Sequence, residues 1–154
     1  LIKAKMRETE AELAGEMSGH FFFAERWFGF DDGIYAAARL LEILDGSGMT
    51  PEELFATLPD GISTPEIKVE APDGDPHAFV DRFKLVAKFE GARLSTLDGL
   101  RVDWPDGWGL VRASNTTPVL VMRFDADTNA GMARIQQAFR EQLHLVQPDL
   151  TLPF

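Results

Sequence analysis

The chain has 154 residues, no cysteine and a formal net charge of −10, from 15 Lys and Arg against 25 Asp and Glu. That length suits one domain or two small ones, and the lack of cysteine excludes disulfides, thiolate catalysis and Cys-ligated metals. The acidic balance argues against nucleic acid or an anionic membrane surface as partner, and no apolar run approaches the roughly 18–20 residues that span a bilayer.

The charge is uneven: residues 1–60 carry five Lys and Arg against twelve Asp and Glu, and 61–154 carry ten against thirteen. Between them, Leu58-Pro59-Asp60-Gly61-Ile62-Ser63-Thr64-Pro65 predicts a linker, which puts a domain boundary at about residue 60.

In the first part, residues 11–14 and 21–23 predict short strands around Gly15-Glu16-Met17-Ser18-Gly19-His20. Glu16 and Ser18 are two apart, so in an extended chain they project to the same side. There a carboxylate that accepts and a hydroxyl that donates or accepts can grip neighbouring hydroxyls of a sugar. An ordinary surface turn with a structural histidine beside three phenylalanines fits the same residues. Asp31 and Asp32 precede a helix with Ile34, Ala38, Leu41 and Leu44 on one face, ended by Gly46-Ser47-Gly48. A helix start attracts carboxylates, so the Asp pair is not read as a metal site. Thr50-Pro51-Glu52-Glu53 has the spacing of a capping box opening a short helix.

In the second part, residues 67–71 predict a strand, and Asp75-Pro76 opens a helix with Phe79, Phe83 and Val86 on its apolar face. Asp73-Gly74-Asp75 reads as a turn plus N-cap rather than a metal loop. Strands follow at 92–96, 100–104 and 107–113, the last two joined by Pro105-Asp106-Gly107, a hairpin signal. A fourth covers 118–126, and a helix bearing Met132, Ile135, Phe139, Leu143 and Val146 closes the chain. Helix, antiparallel strands, helix make an α+β layer with both helices on one sheet face. His77 and His144 fall on the helices without assignable partners. Trp104 and Trp108 flank the hairpin turn, where they would cover the sheet edge or stack on a sugar.

Between the last two strands lies Arg112-Ala113-Ser114-Asn115-Thr116-Thr117-Pro118. A guanidinium fork, the hydroxyls of Ser114, Thr116 and Thr117, the Asn115 amide and backbone N–H groups left free by small residues together suit a phosphate dianion. Ser, Asn and Thr are also ordinary turn residues. No nucleophile–base pair is present, so the loop is read as one that holds a phosphate rather than cleaves it.

Taken together, these segments resemble the C-terminal part of the bacterial phosphomannomutase/phosphoglucomutase family, in the α-D-phosphohexomutase superfamily. The matching residues are Gly15-Glu16-Met17-Ser18-Gly19-His20, Glu25-Arg26-Trp27-Phe28-Gly29-Phe30-Asp31-Asp32-Gly33-Ile34-Tyr35, positions 107–118 and Leu152-Pro153-Phe154. Many superfamily members carry Arg-Pro-Ser-Gly-Thr-Glu-Pro where this chain has residues 112–118, and this form is similar to the dual-specificity mannose/glucose branch. The resemblance implies that residues 1–60 are the α/β end of domain 3 with its sugar loop, and 61–154 a domain 4 with a fold like the TATA-binding protein and the phosphate loop. The family's phosphoserine and its Asp-Gly-Asp-Gly-Asp-Arg magnesium loop do not occur here. The chain opens on Leu1 within what would be domain 3, so a fragment of a longer polypeptide is expected, inactive alone and partnered by its missing N-terminal domains.

The activity implied is interconversion of hexose 1-phosphate and hexose 6-phosphate in the cytoplasm. It would run through a phosphoserine and glucose 1,6-bisphosphate as intermediate and activator, with Mg2+ held in the missing part. Arg112, Ser114, Asn115, Thr116 and Thr117 would bind the non-transferred phosphate, Glu16 and Ser18 would contact sugar O3 and O4, and His20 would assist as acid/base or orienting group. Alternatives are a phosphoglucosamine mutase fragment, a non-catalytic phosphosugar-binding module, or a second domain acting only as a mobile lid hinged near residues 59–65.

Overall fold

The computed structural model describes residues 2–16 and 18–154. They divide into two compact units, Leu1–Pro59 and Asp60–Phe154.

The first unit contains α1 (Ile2–Thr9), the strands β1 (Leu13–Gly15) and β2 (Phe21–Phe23), α2 (Gly33–Ser47) and α3 (Pro51–Phe55). Helix α1 was not expected from the sequence. It buries Met6 alone, so it shows little apolar periodicity. β1 and β2 pair antiparallel, Leu13 opposite Phe23 and Gly15 opposite Phe21. The Asp32 side chain caps α2 by accepting from the N–H groups of Ile34 and Tyr35. The helix ends on Gly48 at φ 64°, the left-handed conformation that glycine adopts without steric cost.

The apolar side expected on α2 forms but is not covered: Ile34 is 87% and Leu41 66% exposed. Periodicity records which side of a helix is apolar, not whether a layer lies over it. What organises the segment between β2 and α2 is aromatic and ionic. Trp27 stacks on Tyr35 at 4.3 Å, and Tyr35 meets the edge of Phe23 at 5.4 Å. Arg26 grips Glu42 with both terminal nitrogens, at 2.8 and 2.7 Å, and Arg39 reaches Glu25 at 2.6 Å. Hydrogen bonds to Glu42 push the Arg26 guanidinium further up, and those same bonds hold the Glu42 carboxyl below its ordinary value.

The second unit runs β3 (Ile62–Ser63), β4 (Ile67–Glu70), a 3₁₀ turn Pro72–Gly74, α4 (Pro76–Val86), β5 (Arg93–Ser95), β6 (Leu100–Trp104), β7 (Gly107–Ala113), β8 (Val119–Ala126) and α5 (Asn129–Val146). The sheet is antiparallel, ordered β3-β8-β7-β6-β5, with β4 also along β8. The hairpin over Pro105 and Asp106 closes on the pair Trp104 and Gly107. Alternate residues of the central strands face one side, as a pleated strand requires. Leu100 and Val102, Val111 and Ala113, and Leu120, Met122, Phe124 and Ala126 thus meet α4 and α5 in one core. Phe79, Val80 and Phe83 enter it from α4, and Met132, Ile135, Phe139 and Leu143 from α5.

Two expectations for this unit are corrected. Val86 is 43% exposed and Val80 is buried in its stead, because Val86 is the last residue of α4, where the chain turns away. The second half of the supposed linker is sheet: Ile62 and Ser63 pair with Ala126 and Asp125, and the Ser63 hydroxyl donates to the Asp125 carboxylate. Asp75 caps α4 by accepting from the Ala78 N–H, as the turn-plus-cap reading required.

Candidate functional site

Arg112 is the second-last residue of β7, opposite Val121. Its chain neighbours Val111 and Ala113 are buried in the core, so its side chain emerges on the face away from the helices. The half-buried guanidinium has long contacts only: Nη2 lies 3.9 Å from Glu66 Oε2, and Nη1 donates to the Ala113 carbonyl at 3.5 Å. Glu66 also faces Lys68, at 3.4 Å. Among the described residues, this cation has no tighter protein partner at the start of the loop.

The loop, residues 114–118, is fastened at its base, where the Ser114 N–H donates to the Val119 carbonyl at 3.0 Å and the Val119 N–H to the Thr117 carbonyl at 2.8 Å. Ser114 Oγ organises the interior. It accepts from the N–H groups of Thr117 and Thr116 at 3.2 and 3.4 Å and lies 2.8 Å from Thr117 Oγ1. The expectation of backbone N–H groups left free is therefore corrected at these two positions, because a serine hydroxyl two or three residues back is the nearest acceptor. The bonds are long, and a stronger acceptor can take their place. Asn115, Thr116 and Thr117 are exposed, so the loop presents an amide and two hydroxyls to solvent beside Arg112.

The other loop belongs to the first unit. Glu16 and Ser18 do come together, but through a tight turn rather than an extended chain: the Glu16 N–H donates to the His20 carbonyl and the Gly19 N–H to the Glu16 carbonyl, each at 2.9 Å. Ser18 Oγ donates to Glu16 Oε2 at 3.2 Å. Gly19, at φ 86°, lets the chain reverse, and Met17 lies outside the described residues. His20 closes the turn, and its Nδ1 is 2.6 Å from Asp31 Oδ2. Sequence reasoning gave Asp31 only a place at a helix start. The cap is Asp32, which leaves Asp31 for the imidazole. The motif around residue 31 was visible in the sequence, but the pairing across eleven positions was not.

Other singled-out residues lie elsewhere. Trp104 packs on the core side against Phe89 and Phe139, and Trp108 lies under the Arg101 guanidinium at 4.1 Å, at the far end of β7 from the loop. His144 Nε2 meets the Leu150 carbonyl at 3.0 Å, and His77 is exposed on α4. Among the described residues, no three His, Asp or Glu side chains converge to hold a metal ion, and no helix is long and apolar enough to cross a membrane.

Comparison with known proteins matches both parts of the chain to one family. Residues 1–61 match the family described as phosphoglucomutase/phosphomannomutase, alpha/beta/alpha domain III, and residues 66–142 match its C-terminal domain. The chain is 57% identical over 154 residues to a phosphomannomutase/phosphoglucomutase of Pseudomonas syringae pv. tomato, covering 100% of this chain and 33% of that protein. It is 54% identical to a phosphoglucomutase of Neisseria meningitidis serogroup A, covering 99% of this chain and 33% of the relative. A crystal structure of a phosphoglucomutase/phosphomannomutase family protein from Burkholderia thailandensis superposes with a TM-score of 0.87 at 52% identity, covering 100% of this chain and 32% of the other. The chain thus spans about a third of the length of the relatives it matches. With both parts matched by consecutive domains of one enzyme family, the chain belongs to the phosphoglucomutase/phosphomannomutase family.

Proposed function

We propose that this chain supplies the sugar- and phosphate-gripping part of a phosphohexomutase that interconverts hexose 1-phosphate and hexose 6-phosphate, accepting mannose and glucose alike. The observation that carries the proposal is Arg112, a half-buried guanidinium whose carboxylate contact among the described residues is Glu66 at 3.9 Å, beside a loop offering hydroxyls and an amide. In such an enzyme a phosphoserine elsewhere in the polypeptide gives its phosphoryl group to the sugar phosphate. The resulting 1,6-bisphosphate turns over and returns its other phosphate. Whichever phosphate is not reacting needs a holder indifferent to the carbon that bears it. Arg112 meets two phosphate oxygens at once, while Ser114, Asn115, Thr116 and Thr117 saturate the rest.

Glu16 and Ser18 suit the O3 and O4 hydroxyls near the middle of the sugar, which exchange places and so present the same pair of oxygens when the ring turns end for end. A site that ignores O2 cannot separate glucose from mannose, since the two differ only at C2. His20 stands beside this grip, half-exposed, and serves as acid/base for the reacting hydroxyl. Magnesium supplies electrostatic stabilisation of the transferring group when bound. It would be held by parts of the polypeptide outside this chain.

The test is an amide NMR titration of the chain with glucose 1-phosphate, glucose serving as control. Phosphate-dependent shifts gathered on residues 112–117 are expected. Shifts nowhere in a folded sample would overturn an autonomous phosphate grip. Kinetics of the full-length enzyme that favour the amino sugar phosphate would replace the mannose/glucose assignment with phosphoglucosamine.

A further inference from the structure

We propose that Asp31 is a positioning residue that selects the tautomer and aim of His20, an inference that rests on the acid/base reading of that histidine. His20 Nδ1 and Asp31 Oδ2 are 2.6 Å apart, a charge-assisted hydrogen-bond distance, between side chains 55% and 41% exposed. A carboxylate only accepts, so the proton between them belongs to Nδ1. In the neutral ring the lone pair is then on Nε2, and Nε2 has no hydrogen-bond partner among the described residues. The nitrogen open to a ligand is the one able to take a proton. Free histidine favours the opposite tautomer, with the proton on Nε2, in which that nitrogen can only donate.

Asp31 is held from both sides. Its backbone bridges Phe22, a buried residue of β2 two positions beyond His20, so the bridge ties Asp31 to the strand that directly follows the imidazole. On the other side Asp32 is committed to the N-terminus of α2 through two backbone N–H groups. Arg26 and Glu42 further anchor the intervening segment to α2. Asp31 therefore need not contact substrate. It acts through His20, holding Nε2 ready to accept the proton of a sugar hydroxyl as that oxygen bonds to phosphorus and the donor oxygen leaves with the former P–O electron pair. The same proton returns in the reverse step.

The experiment uses a full-length family enzyme carrying this chain, labelled with ¹⁵N-histidine. The His20 signal is assigned by its loss in His20→Ala, and spectra are taken at a pH where the ring is neutral. The expected wild-type result is an Nδ1–H tautomer that Asp31→Asn abolishes. In steady-state kinetics, Asp31→Asn should lower kcat by about 10- to 1000-fold while KM moves little, and it should add nothing to the loss in His20→Ala. Asp31→Glu, which keeps a carboxylate, should recover part of the rate and answers the case of an Asn variant that fails to fold. An Nε2–H tautomer in the wild type, or Asp31→Asn with unchanged kcat, would overturn the proposal. A fully active His20→Ala would instead overturn the acid/base reading, and with it any catalytic consequence of the contact, even with the Nδ1–H tautomer intact.

Discussion

Gly99 lies hard against Arg112: a Cβ on Gly99 would stand 2.6 Å from the Arg112 Cβ and 2.2 Å from the Val111 carbonyl oxygen. Gly99 also has φ 80°, which L side chains rarely adopt. The close approach of these backbones brings β6 against β7 where the loop 114–118 begins. Gly99→Ala is expected to lower the stability of the second unit by about 2–5 kcal/mol, from backbone strain and overpacking together. Urea unfolding followed by tryptophan fluorescence measures it, and an unchanged midpoint would mean that the strands part there without cost.

Arg112→Ala should separate binding from folding. Its protein contacts are long and partly open to solvent, and pairs of that kind contribute about 0–1 kcal/mol to stability. A phosphate dianion meeting the guanidinium gains more, so binding of glucose 1-phosphate should weaken by about 1.5–3 kcal/mol. Calorimetric titration of the full-length enzyme reads the loss. A change of only a few tenths would make the loop structural.

Gly109 and Phe139 form a second interlock, within the core. A Cβ on Gly109 would fall 2.3 Å from the Phe139 ring, which also packs on Phe83, Phe89 and Phe124. Gly109→Ala should cost about 1–3 kcal/mol by overpacking, and part of that should vanish when Phe139 is replaced by Leu. A double-mutant cycle of unfolding free energies tests the coupling, and strict additivity would refute it.

The first unit should loosen in acid. Glu53 closes the capping box by accepting from the Thr50 backbone N–H and hydroxyl, and those hydrogen bonds hold its carboxyl below the ordinary 4.5; Arg26 does the same for Glu42. Folded, both groups bind protons less readily than when unfolded. Their contribution is complete above pH 4.5 and is lost as pH falls through the lowered folded values. Circular dichroism on either side of that pH should show wild type losing more helix in the acid step than Glu42→Gln/Glu53→Gln, whose loss is already incurred at neutral pH. Thr50→Ala should independently cost about 0.5–2 kcal/mol of α3 stability.

The features legible in the sequence were those decided by near neighbours. Thr50-Pro51-Glu52-Glu53 specifies a cap because donor and acceptor are three residues apart, and Pro105-Asp106-Gly107 a hairpin because the turn residues dictate its backbone. The strands at 100–104, 107–113 and 118–126 were legible as apolar runs around that turn, while which of their residues face the core waited on the fold. The loops at 15–20 and 112–118 stood out by the polar groups they gather and by the family resemblance those residues carry, although the same residue types are ordinary in turns.

The tertiary structure alone decided the rest, since contacts between distant residues depend on strand register and helix position rather than on local preference. It paired Ile62 and Ser63 with β8 inside a stretch whose prolines suggested a linker. It exposed Val86 and buried Val80, turned the Ser114 hydroxyl inward on its own loop, and brought Asp31 to His20 across eleven residues. Local residue types determined the caps, the hairpin and which candidate groups each loop offers; the register of the strands and the place of the helices decided which of those groups face one another.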